Sequence, residues 1–375
     1  MGNLLRKRAA PREAAGAPAS GGTSGAAGAP ASGTNVTEPA GGEPTTSVFA
    51  SHTHRRRAIV AASAIALTCL VALVGILSWG NPAEFGSEGW RLIAAMRAQS
   101  VIVILLVAAS HSVSTIAFHT VTGNRLLTPS IMGFEALYVL VSTLTVFALG
   151  IAGATVLDHP LAFLGQVAVM VVFAGLLYAW LLGGKLGNLH MMLLVGVLLG
   201  TALGSLSSFL QRLLDPATYD VLTARLFGNI SNADTANLAL AVPLVIGVVC
   251  VLLARSRRLN TVALGRDIAT ALGVDHRREL VTTLALIAVL MAVTTSLVGP
   301  MMFLGFLIAQ LAYLLAGTHD HRVLFPVGIG VGVAVLSSAY FVLKHVFYAG
   351  GAVTVLIELI GGLTFLVIIV KKGMR

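Results

Sequence analysis

The sequence predicts an all-α polytopic membrane protein of about ten transmembrane helices with both termini in the cytoplasm. Three observations carry that prediction. Apolar residues make up 57% of the 375 residues and charged residues only 10%, whereas soluble domains are about a quarter charged. The apolar residues gather into runs of spanning or near-spanning length at roughly 58–78, 99–118, 131–151, 161–182, 189–210, 237–254, 280–298, 301–316, 323–343 and 352–370. With the amino terminus inside, the inner segments hold nineteen of the 24 basic residues, Arg91, Arg97, Arg212 and Arg225 fall outside, and Lys344 sits at a helix end. The formal charge of +9 then follows from positive-inside orientation and contact with anionic lipid, with no nucleic-acid partner implied.

Residues 1–54 are rich in Ala, Gly, Pro, Ser and Thr and nearly free of large apolar side chains, so they read as a disordered cytoplasmic tail. Residues 55–375 read as the ten-helix domain. The first apolar run follows Arg55, Arg56 and Arg57 and reaches spanning length, unlike a signal peptide. Every run must satisfy its backbone internally, which makes each a helix unless protein walls it off from lipid.

The outer segments 79–98 and 211–236 carry helical patterns. Trp90, Leu92, Ile93 and Met96 predict a surface helix, as do Tyr219, Leu222 and Leu226. Such helices either cap the bundle or receive a partner. In the fifth run, Gly196, Gly200, Gly204 and Ser208 fall on one face at four-residue spacing, the pattern of close helix association. Packing within the chain, a subunit interface and a pathway wall all remain open readings of it.

Polar groups inside the runs are few. Glu135 and Glu358 would each cost about 2.5–3.5 kcal/mol if charged and unpaired near a helix centre, so they should be protonated, paired or near the interface. His111, among Ser110, Ser112 and Ser114, reads as a hydrogen-bonded packing histidine. His319, Asp320 and His321 occupy a short inner loop and read as a solvated turn, not a metal site. Cys69 and Cys250 lie in apolar runs without paired spacing and indicate neither a disulfide nor a thiolate metal site.

The most informative stretch is the inner loop 254–280, ARSRRLNTVALGRDIATALGVDHRREL from Ala254. Arg255, Arg257, Arg258, Arg266, Arg277 and Arg278 are offset only by Asp267, Asp275 and Glu279. Leu264, Ile268, Ala271 and Leu272 recur at helical spacing, and Gly265 and Gly273 bracket the segment. The spacing predicts a short amphipathic helix along the membrane face, placed to dock against something in the cytosol. No phosphate-cradling G-x-x-x-x-G-K-[ST] loop, H-E-x-x-H or G-x-S-x-G occurs, so ATP chemistry must come from another chain and the chain is not itself an enzyme.

These residues are similar to the permease subunits of ABC importers for iron–siderophore complexes and cobalamin, the FecCD-type family, over about 58–375. LGRDIATALGVDHRREL resembles the family's coupling segment between the sixth and seventh helices. SLVGPMMFLGFLIAQLAYLLAG resembles its next signature at Gly299, Pro300, Phe303 and Gly305, and GNRLLTPSIMGFEALY resembles the entry to the third helix at Asn124, Pro129 and Gly133. The Leu-Thr-Pro-Ser form points to the branch serving catecholate-type ferric chelates. The chain departs from the family at Ala309, Gln310 and Tyr313, where many members carry a Pro-His pair and then Arg. It also lacks the late Glu-x-Pro motif and reduces a pair of arginines before the second helix to Arg97.

The resemblance implies a permease that moves ferric-siderophore complexes inward and pairs with a second, related or identical permease. It further implies two cytosolic ABC ATPases holding ATP and Mg, an extracytoplasmic siderophore-binding protein met by Arg91 and Arg97, and no cofactor or metal on this chain. Cobalamin, haem or a bare metal ion are alternative cargoes. A secondary transporter is the rival mechanism, but it would need intramembrane ionisable relays or broken helices in symmetric halves.

Overall fold

One helix dominates the architecture, and its sequence explains its length. From Trp90 to Thr122 no glycine or proline interrupts the chain. Ser87 starts the helix by accepting the Trp90 N–H (3.1 Å), and Gly123, at φ 63°, ends it. The result runs Glu88–Thr122, 35 residues, or about 52 Å at 1.5 Å per residue against a hydrocarbon layer of about 30 Å. The surface helix expected within 79–98 is therefore no separate element. Its residues are the first turns of this long helix, because Arg91 and Arg97 add polarity without breaking the backbone.

The computed structural model describes residues 52–183, 189–227, 230, 235–347 and 353–373. The disordered tail expected over 1–54 lies outside them, except that the first helix already begins at His52. In chain order the helices are α1 (His52–Ser78), α2 (Glu88–Thr122), a 3-10 turn (Pro129–Met132), α3 (Phe134–Leu149), α4 (Ile151–Asp158), α5 (Pro160–Gly183), α6 (Leu189–Gln211) and α7 (Pro216–Leu226). They continue with α8 (Thr235–Ala254), α9 (Ser256–Val262), α10 (Arg266–Ala271), α11 (His276–Val298), α12 (Leu304–Ala316), α13 (His321–His345) and α14 (Val353–Gly373). Each of the ten apolar runs falls on a helix. Seven of these helices are long and apolar enough to cross a membrane, and Phe134–Leu149, Leu304–Ala316 and Val353–Ile368 are shorter apolar helices.

α2 and α11 form the centre, packed on each other, with α13, α12 and α8 against α2 and α5 against α11. Phe118, Phe163, Phe306 and Phe325 are fully buried among them. α1 lies outside on α13, exposing Ile59, Val60, Leu67, Leu70, Val71 and Val74, a face suited to lipid. Small residues set the closest approaches. A Cβ on Gly332 would sit 3.0 Å from the Ala108 Cβ, and one on Gly305 would collide with the Thr115 hydroxyl. Overpacking a filled core costs about 1–3 kcal/mol, so Gly305→Val should lower the melting temperature of the purified protein by several degrees. An unchanged melt would contradict the close packing of α12 on α2.

α11 stops where the chain carries Gly299-Pro300. Gly299 adopts φ 84°, Pro300 has no N–H to give, and the freed Met301 N–H is accepted by Glu135 Oε1 at 3.2 Å. Non-helical backbone at membrane depth is tolerated only when protein satisfies it. Glu135, buried at the start of α3, does so here; it is thus a structural acceptor in this conformation, and Glu358 is half-buried.

α7 forms as its pattern predicts. Pro216 occupies its first turn and Asp215 caps it by accepting the Thr218 N–H at 3.0 Å. Hydrogen bonds from Thr218 hold the Asp215 carboxyl below the usual carboxylate range. Arg225 pairs with Asp158 and donates to the Ala154 carbonyl, tying α7 to α4, while Leu222 is buried with Val146 and Leu157. α7 is a cap on the bundle along that face, with Tyr219 left exposed on the other.

Candidate functional site

The candidate site is the platform built from α9, α10 and the turns beside them. α10 is defined by its two glycines. Gly265 stands at φ 95°, ψ 167°, a region essentially open only to glycine. Gly273, at φ 79°, closes the helix as a left-handed cap: its N–H reaches Thr270 O at 3.0 Å, and the Val274 N–H reaches Ala269 O at 2.9 Å. Between them Ala269 is fully buried and anchors the inward face. Leu264, Ile268 and Leu272, four residues apart, are 55%, 52% and 62% exposed. Arg266 and Ala271 are exposed beside them. The platform therefore presents an apolar stripe with a basic rim, the kind of uncovered patch that marks an interaction surface.

The platform is held rigidly. The Glu279 carboxylate, with a side chain only 7% exposed, accepts from Arg255 and from Arg258 (3.0 Å), locking α9 to the first turn of α11. Asp275 caps α11 by accepting the Arg278 N–H at 3.1 Å. On the other flank Asn260 donates to Asp320 Oδ1 (2.8 Å) and accepts the His321 N–H (3.0 Å), and His321 Nε2 meets the Thr120 hydroxyl at 2.6 Å. His321 is thus buried in a network joining α9, α13 and α2, which corrects the expectation of a solvated turn for that residue, while His319 is exposed as expected. The turn was misread because its partners lie about 60 and 200 residues away in sequence. Among the described residues no group of His, Cys, Asp or Glu could hold a metal ion.

Other expected residues have different fates. Gly196 and Gly200 are used within the chain: Cβ atoms there would meet Met132 and Gly133 backbone at 3.3 and 3.2 Å, so they seat α6 on the entrance to α3. Gly204 has open space beside it and Ser208 is exposed, which leaves that half of the stripe for a partner or a pathway. His111 is buried, but neither ring nitrogen has a hydrogen-bond partner among the described residues, so it packs without the expected bond.

Arg97 donates to the carbonyls of Trp79 (2.7 Å), Gly80 (3.2 Å) and Ile76 (3.3 Å), capping the end of α1. Arg91 is exposed. Arg97→Ala should therefore lower thermal stability by about 1–2 kcal/mol, the cost of unmet carbonyls and a lost charged bond, whereas Arg91→Glu should leave the melt unchanged. Equal melts for wild type and Arg97→Ala would deny the cap.

Residues 59–371 match the FecCD transport family. The chain is 41% identical to the petrobactin import system permease protein FatC of Bacillus anthracis over 88% of this chain and 93% of the relative. It is 32% identical to the petrobactin import system permease protein YclO of Bacillus subtilis (strain 168), over 76% of this chain and 90% of the relative. A metal-chelate type ABC transporter solved in an inward-facing conformation has a similar fold, with a TM-score of 0.72 at 22% identity over 82% of this chain and 98% of that one. The chain belongs to the FecCD transport family. It is a multi-pass permease subunit of the bacterial cell membrane, not itself an enzyme.

Proposed function

We propose that this chain is the membrane subunit of an ATP-driven importer that carries a ferric siderophore of the catecholate-bearing class into the cytoplasm. The similarity to two petrobactin import permeases across most of the chain carries this reading. Among the described residues no group of His, Cys, Asp or Glu could hold a metal ion, which accords with it, since a siderophore already fills the iron's coordination sphere. In this reading the helices make ten crossings with both termini inside, and two cytosolic ATPases, which hold ATP and Mg, sit on the platform. α10 is the coupling helix: Leu264, Ile268 and Leu272 insert into the ATPase, and Arg266 sets the register. A second permease, identical or related, covers the open side of α6 at Gly204 and Ser208. An extracytoplasmic siderophore-binding protein lands on the outer rim, with Arg91 as the freer cation and Arg97 shaping the surface beneath it.

Cargo is tested by uptake of radio-iron in cells lacking and then regaining the gene. Accumulation of a ferric catecholate chelate should be restored severalfold, with cobalamin, haem and unchelated iron unaffected. Restoration of one of those three in place of the chelate would replace the proposed cargo.

A further inference from the structure

Beside the platform, at the same end of the bundle as the arginine-rich loop, lies a cavity of about 190 Å³ that includes Thr120, Arg125 and His321 in its wall. It is too small for a cofactor-sized ligand, whose pockets begin at about 300 Å³. His119, Tyr313 and His319 complete the polar side of the wall. The Arg125 guanidinium lies 4.6 Å from the centre of the Tyr313 ring, and the Tyr313 ring stacks on His119 at 5.9 Å. Gln310 donates to the Arg125 carbonyl at 2.7 Å and fixes the backbone that carries the guanidinium. Arg125 Nη2 stands 3.4 Å from His319 Nδ1. Gln310 and Tyr313 thus both meet Arg125.

Two features of the wall point to an anion. Among the described residues no carboxylate lines the cavity, while one permanent cation, Arg125, does. His119 is only 3% exposed, and of its two buried ring nitrogens at most one is engaged, by the Leu127 backbone, which leaves the other without a partner. A buried polar group left without a partner costs about 1–3 kcal/mol, a cost that a ligand oxygen would remove. His321, by contrast, has both nitrogens committed to Asn260 and Thr120 and serves as fixed wall. On the other side of the α12–α13 turn lies an apolar hollow of about 200 Å³ walled by Ile59, Ile65, Leu315, Val323 and Val327. Both cavities use the last turns of α12 and the first turn of α13, which sets a basic polar pocket beside an apolar one. Basic pockets between membrane helices on the cytoplasmic side are sites for anionic headgroups.

We propose that the Arg125–His119 cavity binds a negatively charged phosphate group, supplied by the headgroup of an anionic phospholipid whose acyl chain lies in the neighbouring hollow. Its occupant would brace the junction of α2, α12 and α13 on which α9 rests. The test uses the full chain in nanodiscs of mixed phosphatidylglycerol and phosphatidylcholine, released into neutral detergent and weighed by native mass spectrometry. Wild type should retain phosphatidylglycerol. Arg125→Gln, at an exposed side chain, and His119→Phe should each reduce retention about tenfold, as loss of a hydrogen bond to a charged group predicts. Arg322→Gln, beside the cavity but outside its wall, should not. A parallel titration of the lipid-free protein with inorganic phosphate separates the sources: Arg125-dependent binding of phosphate without lipid retention would assign the same site to the soluble ion. Should His119→Phe fail to fold, Arg125→Gln decides alone. Equal retention of the two lipids, or retention unchanged in Arg125→Gln with no phosphate binding to wild type, would overturn the proposal.

Discussion

Ile268→Asp should abolish ATP-driven uptake while the protein still inserts and melts like wild type. Ile268 is half-exposed at the middle of the α10 stripe and contributes little to the core, so the substitution should barely touch folding. Burying an isoleucine against a partner is worth about 1.5–3 kcal/mol, and an unpaired carboxylate in the same interface adds a desolvation cost of several kcal/mol. Each 1.4 kcal/mol is tenfold in affinity, so ATPase copurification should fall by about a hundredfold or more. Gly273→Val should act in the same direction through the backbone. Nothing lies within 4 Å of the position, so no clash arises, but holding a β-branched residue at φ 79° costs about 1–2 kcal/mol and should unwind the end of α10. Wild-type uptake in both variants at wild-type expression would remove α10 from the mechanism.

Glu279→Ala should have the largest effect on stability of any single change on the platform. It leaves Arg255, 21% exposed, facing the vacated site, and frees Arg258, which is 63% exposed. Removing one partner of a buried ion pair costs about 3–5 kcal/mol, and the partial exposure of both arginines reduces that to about 2–3 kcal/mol. The purified variant should melt several degrees lower. It should also protect the α9–α10 backbone less against hydrogen exchange, with α5 and α14 unaffected. A uniform loss of protection across all helices would mean that Glu279 supports the whole fold and not the platform in particular.

The contrast between Ile268 and Glu279 shows what the sequence could and could not disclose. The α10 stripe was legible because its information is local: Leu264, Ile268 and Leu272 repeat every four residues, and the bracketing glycines supply backbone angles that other residues avoid. The ten apolar runs were legible for the same reason, since length and hydropathy are properties of a contiguous segment. Glu279 carried no such signal and was counted only as a charge offsetting arginines, because its importance comes from Arg255 and Arg258 folding back across α9. Arg97 was expected at the outer surface from its charge and from the family resemblance, yet its donors are spent on carbonyls some 20 residues upstream. His321 and Asn260 are joined across 61 residues, a separation at which periodicity is silent. In a protein of packed apolar helices, the few polar side chains find partners through the tertiary fold, and their roles become visible only there.

The role of Glu135 illustrates the same limit within the membrane. Its cost as an isolated charge required it to be protonated, paired or near the interface, and Gly299-Pro300 fell between the seventh and eighth apolar runs. Neither signal alone revealed that one answers the other, the carboxylate accepting the backbone N–H that the break sets free.

The central claim is that this permease couples uptake to a separate ATPase through the platform of α9 and α10. It is tested most directly by reconstituting the chain with its ATPase, second permease and binding protein in proteoliposomes and measuring entry of a radio-iron catecholate chelate with and without internal or external ATP. The account predicts uptake only when ATP and Mg reach the platform face, lost in Ile268→Asp although that variant inserts normally. Uptake driven by a proton or sodium gradient in the absence of ATP, or ATP-driven uptake undiminished by Ile268→Asp, would contradict it.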